Sequence, residues 1–248
     1  MATRSHNPVF NEKTFDKFAY LTGTAPASPM TMRGTIDRAA ILFAIAVSTA
    51  ALSWVFVSSA PALALPVALG GGIVAFLLAI VISFNPTSAP FVSPVYAALE
   101  GVFLGAISRV LEARYPGIAA QGILGTGVIF GVMLLLYRTR IIRATETFKK
   151  VVISMTAAVV VMFVIAVVMR MFGSAMPFLN DATPIGIGVS LFLLGLASVN
   201  LILDFDLIEQ GETSGAPKAM EWYAAFGLLV TVAWIYIDVI RLLSKLRR

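Results

Sequence analysis

Seven apolar stretches, at about 39–59, 65–84, 93–112, 119–137, 149–171, 185–208 and 221–243, take up nearly all of the chain beyond residue 38. Each is close to the roughly 20 residues that a bilayer-spanning helix requires, and the connections between them are short. Pro61, Pro86, Pro90, Pro116, Pro177, Pro184 and Pro217 fall in or beside those connections. The pattern predicts one all-α integral membrane bundle of seven transmembrane helices rather than two domains. Composition agrees, because only 12% of residues are charged, where soluble domains carry about 25%.

Composition also excludes chemistry. There is no cysteine, and the one histidine, His6, lies in the polar N-terminal tail. Disulfides, thiolate metal sites and a cysteine nucleophile are ruled out, and metalloprotease and Ser-His-Asp readings lose their histidines. No enzyme and no cofactor is expected. A net charge of +5 is read as positive flanks of membrane spans, so the lipid bilayer rather than nucleic acid is the expected partner.

Residues 1–38 form a polar segment with Arg4, Lys13, Lys17, Arg33 and Arg38, expected to be a partly disordered cytosolic tail. No apolar core followed by a small-residue cleavage site comes after its first charges, so it does not read as a cleaved signal. Residues 39–248 are the transmembrane domain. With seven spans, eleven Lys and Arg collect on the side of the tail and seven on the other. That bias puts the N-terminus in the cytosol, while four cations at the C-terminus pull the other way. Six spans plus a re-entrant segment is the alternative. Internal repeats of the transporter kind are not visible. Gly101-x-x-x-Gly105 and Gly127-x-x-x-Gly131 have the spacing of helix contacts.

The most informative stretch is Ile185–Gln210, a long apolar helix ending in Asn200, Asp204, Asp206 and Glu209. A carboxylate at the bilayer centre costs about 2.5–3.5 kcal/mol on insertion scales, so such residues are usually functional. Helical geometry puts Asn200 and Asp204 on one face and turns Asp206, Glu209 and Gln210 away. Two further acids, Glu100 and Asp238, lie within spans, with Glu112, Glu209 and Glu221 nearer span ends. No cation stands between Arg38 and Arg109, so Glu100 has to be protonated, hydrated or paired across the bundle. Asp238 has Arg241 three residues on, which allows a local ion pair, and Thr231 and Trp234 on the same face, which equally allows a polar lining. Lys245 is read as lying past the seventh span.

The motifs LEGVFLG at Leu99–Gly105, LDFDLIEQG at Leu203–Gly211 and IYIDVIRLL at Ile235–Leu243, in helices three, six and seven, give the chain a resemblance to the Bax inhibitor-1 family and its bacterial members. The resemblance covers about residues 35–245. It implies a bundle whose last helix is central, surrounded by six others, and a pH-sensitive passive calcium leak in a bacterial inner membrane, with calcium and protons as ligands. It further implies that Asp204 and Asp238 form the pH sensor, two desolvated carboxylates that share a proton and titrate as a coupled pair. Carboxylates are also hard ligands of the kind calcium takes, which makes Glu100, Asp204, Asp206 and Asp238 candidate metal ligands.

Two departures matter. Phe205-Asp206 follows Asp204 where the family has Thr-Gln or Thr-Ser, so the branch is divergent and Asp206 becomes a rival sensor. The interval of 34 positions from Asp204 to Asp238 is also longer than the family leads one to expect. If helices six and seven meet the membrane surface near Glu212 and Glu221, a rise of about 1.5 Å per residue puts Asp204 about 12 Å deep and Asp238 about 25 Å deep. Glu100, about 10 Å deep, matches Asp204 better.

Three functions compete. The first is the proton-gated calcium leak. The second is a non-conducting regulator of a membrane protease or other membrane partner. The third is an intramembrane aspartyl protease, which would need Gly-x-Gly-Asp where Tyr236-Ile237-Asp238 stands.

Overall fold

The computed structural model describes residues 28–173 and 181–247, the side chains of Arg170 and Met171 excepted. Seven helices follow in order: α1 Met32–Ser59, α2 Ala64–Phe84, α3 Ala89–Arg114, α4 Ile118–Arg138, α5 Glu146–Met171, α6 Pro184–Thr213 and α7 Met220–Leu246. Each is long and apolar enough to cross a membrane. Single 3-10 turns, Pro61–Leu63 and Pro86–Ser88, join the first three. α1, α3, α5 and α7 start at the end where the tail enters, here the tail-side end, and the other is the distal end.

The starts of the helices are written locally. Thr31 is extended and accepts from Gly34 N at 3.0 Å, and Thr183 does the same for Gly186 N before Pro184, each satisfying one of the free N–H groups of a first turn. At the start of α4 the cap comes from the preceding helix, because Glu112 accepts from Gly117 N at 2.6 Å and Ala119 N at 3.0 Å. α1 begins at Met32, inside the segment read as the tail. Thr31 nucleates the helix early, and Arg33, Asp37 and Arg38 are its first turns. The part of the tail at residues 1–27 lies outside the described residues.

α7 is the central helix. Half of its most apolar window is buried, more than in any other span, against 11% for α5. It packs on α1, α3, α4 and α6. The expectation of six helices around it is narrowed to those four as chief neighbours. α2 leans on α3, and α5 lies against α6, with Phe163 under the Arg241 guanidinium of α7.

The closest seam is α1 against α3. A Cβ added to Gly101 would stand 2.2 Å from the Ala46 carbonyl oxygen, and one on Gly105 2.2 Å from that of Ala50. Only glycine admits two backbones at that separation. Ser53 Oγ crosses the same seam to donate to Val102 O at 2.8 Å. Gly127-x-x-x-Gly131 differs from its expected role, because a Cβ at either glycine meets nothing within 4 Å. Identical spacing therefore marks a contact in α3 and an open face in α4. The outward faces carry Phe76, Leu124, Val128 and Val161, all exposed, as a surface meant for lipid rather than water requires.

Each end of α7 is clasped. At the tail side, Met30 N donates to Ala216 O at 2.7 Å, and Pro29 and Pro217 form an isolated bridge. Thr31 N and Oγ1 both donate to Glu221 Oε1 at 3.2 Å, Met32 N donates to Glu212 Oε1 at 2.9 Å, and Arg38 lies over the Trp222 ring. At the distal end Arg247 donates to Pro116 O at 2.9 Å and Gln121 Oε1 at 2.6 Å.

Candidate functional site: carboxylates around the central helix

Asp204 points from α6 to α7. Its Oδ2 is shut away from solvent and has no hydrogen-bond partner, and Thr231 of α7 is the hydroxyl beside the carboxyl group. A Cβ on Gly227 would come within 3.7 Å of Oδ1, so the bare glycine leaves the carboxylate room. Asn200, one turn earlier, goes elsewhere: its Nδ2 donates to Thr156 Oγ1 of α5 at 2.9 Å. The shared face read from the sequence thus serves two different partners.

Glu100 is buried on the face of α3 that meets α7. Tyr96, one turn before it, sets its ring edge-on to Phe226 at 4.9 Å and brings its hydroxyl beside the Glu100 carboxyl group. Further along this face Ser108 Oγ and Tyr236 Oη lie 2.7 Å apart. α3 and α7 therefore run parallel, and Glu100 comes level with the stretch of α7 that Asp204 faces. Ser93, seven residues before Glu100, is buried with an unpartnered hydroxyl.

Asp238 stands apart. Gly227 and Thr231 are eleven and seven residues before it, so about 10–16 Å of helix separates it from the level of Asp204. Its Oδ1 accepts from Arg241 Nη1 at 3.0 Å, forming the ion pair that the spacing allowed. Its Oδ2 is buried and unpartnered. Asp206 faces the start of α5, 2.6 Å from Lys149 Nζ, and accepts from Gln210 at 2.5 Å. Glu209, one turn on, binds Arg140 and the Tyr137 hydroxyl.

The four acids read as candidate metal ligands, Glu100, Asp204, Asp206 and Asp238, are not brought together at one point. Among the described residues no three acidic or histidine side chains meet at a point where a metal ion could sit. The reason is helical. Asp204 and Asp206 leave α6 in different directions, and Glu100 and Asp238 meet α7 at different levels. Lys149 and Lys245 are the residues that sequence reasoning missed. Both were counted as membrane flanks, yet both are buried, Lys245 to 4% exposure. Lys245 left a readable signal, because it lies seven residues beyond Asp238 on the same helical stripe.

A bundle of seven membrane-length helices, with two buried carboxylates turned toward its central helix, defines an integral membrane protein built around intramembrane acids. The family model for Bax inhibitor 1 like proteins matches residues 7–248. The chain belongs to that family. Comparison with curated proteins and with solved structures yields no match.

Proposed function

We propose that the protein is a passive, proton-sensitive calcium leak of a bacterial inner membrane, with its N-terminus in the cytosol. The observation that carries this reading is Asp204, whose Oδ2 has no partner although it is closed off from water. An isolated charge in such a place costs several kcal/mol, about what insertion scales assign to a bilayer centre, unless a proton or a cation accompanies it. Exchange of one for the other is the chemistry the position offers. Gly227 and Thr231 give it space and a single hydroxyl, and Glu100 supplies a second carboxyl at the same level of α7. Family membership supports the reading at the coarser level of a Bax inhibitor 1 like membrane protein.

Asp238 is assigned a different part from its family counterpart, since Arg241 already neutralises it. Distance also weighs against an aspartyl protease, which needs two carboxylates close enough to share one proton. A non-conducting regulator draws support from the strap of residues 29–32 on the α6–α7 connection. Calcium flux into proteoliposomes, followed between about pH 6 and pH 8, separates these readings. The leak requires wild-type flux that depends on pH, with a midpoint that moves in Asp204→Asn and in Glu100→Gln. Asp206→Asn leaves the midpoint in place. Flux absent at every pH returns the protein to the regulator class.

A further inference from the structure

At the distal end, Asp238, Arg241 and Lys245 form one stripe of α7, at i, i+3 and i+7. Asp238 is 1% exposed and Lys245 4%, and the Arg241 guanidinium lies 5.4 Å above the Phe163 ring of α5. Long side chains on a helix lean toward its N-terminus, so Lys245 reaches back along α7 rather than out past its end. Its Nζ donates to Gly186 O, in the first turn of α6, at 2.9 Å, and it lies within electrostatic range of Asp238. An ammonium one residue from the end of a helix can reach water with little effort. Its burial therefore calls for nearby negative charge, and Asp238 on the same stripe supplies a carboxylate within electrostatic range.

The groups in reach of this ammonium are acceptor oxygens. Asp238 brings a carboxylate whose Oδ2 has no hydrogen-bond partner, and Gly186 brings a carbonyl that also accepts from Ser190 Oγ at 3.0 Å. Carboxylate and carbonyl oxygens are the ligand set of a hard divalent cation. We propose that Lys245 is a tethered counter-cation which, with Arg241, occupies the distal oxygen site of Asp238 and the Gly186 carbonyl and bars divalent cations from it. The proposal rests on the reading of the bundle as a cation pathway. In this chain Arg241 pairs with the distal carboxylate, the Lys245 ammonium holds the carbonyl beside it, and exchange between proton and cation is left to the level of Asp204.

The test is equilibrium binding of radioactive calcium to the full-length protein in nanodiscs. It compares wild type with Lys245→Met, Lys245→Gln, Lys245→Arg and the double variant Lys245→Met/Asp238→Asn. Removing one charge beside a buried carboxylate is expected to tighten calcium binding at least about tenfold in Lys245→Met. Lys245→Gln, which keeps a donor for Gly186, does the same and stands in if the methionine variant does not fold. Lys245→Arg stays like wild type, and the double variant loses the gain. Unchanged affinity in both neutral variants, or a gain that survives Asp238→Asn, overturns the proposal. Flux is read separately. Tighter binding with no flux in any variant upholds the distal site and removes the leak, whereas unchanged binding beside pH-dependent wild-type flux does the reverse.

Discussion

Alanine at Gly105 separates a true helix contact from a mere spacing motif. Its Cβ would stand 2.2 Å from Ala50 O and 2.8 Å from Ala50 C and Cα, all backbone atoms that cannot swing aside. Ordinary carbon contacts begin near 3.5 Å, so α1 and α3 have to part by about 1 Å or more. That motion takes the Ser53–Val102 hydrogen bond, now 2.8 Å, to about 4 Å, beyond bonding range. Overpacking of this kind costs about 1–3 kcal/mol, and a hydrogen bond between membrane helices adds about 0.6 kcal/mol. Against these stands about 1 kcal/mol gained when alanine replaces glycine inside a helix. The net expectation is destabilisation by about 0.5–2.5 kcal/mol. Gly131→Ala is the matched control. Its Cβ meets nothing within 4 Å, so only the helix term remains, and the protein becomes more stable by up to about 1 kcal/mol. Denaturant unfolding of purified protein in detergent measures both. The reasoning fails if Gly105→Ala is as stable as wild type, or if both alanines shift stability in the same direction.

Four further outcomes are expected. Glu221→Ala removes the acceptor of Thr31 N and Oγ1 and costs about 1.5–3 kcal/mol, the range for hydrogen bonds to charged groups; a loss below about 0.5 kcal/mol would mean the tail-side clasp contributes nothing. Lys149→Met strands Asp206, whose side chain is only 18% exposed, at a cost of about 1–3 kcal/mol. Adding Asp206→Asn recovers most of that loss, and a double-mutant cycle with no coupling would refute the pair. Calcium affinity falls as pH drops from about 8 to about 5, because protons and cations compete for the same buried carboxylates, and a flat profile argues against exchange at Asp204. Reporter fusions place the N-terminus in the cytosol and the C-terminus outside; both ends in the cytosol would contradict the odd number of crossings.

Much of this molecule was legible before folding. The seven spans, their order and the central place of the last followed from apolar runs of bilayer length and from three short motifs, since hydrocarbon leaves a chain few options besides helices. The pairing of Asp238 with Arg241 followed from helical spacing alone, as did the separation of Asp204 and Asp238 in depth. What spacing does not contain is which face of each helix meets which neighbour. Gly101-x-x-x-Gly105 and Gly127-x-x-x-Gly131 look alike on paper, yet one admits α1 and the other faces open space. Asn200 and Asp204 share a stripe but address α5 and α7. Lys149 and Lys245 look like flanking charges, and only packing turns one toward Asp206 and the other toward Gly186. Periodicity sets the angle between two side chains on one helix. The rotation of that helix about its own axis is set by the whole bundle at once, through contacts between residues far apart in the chain.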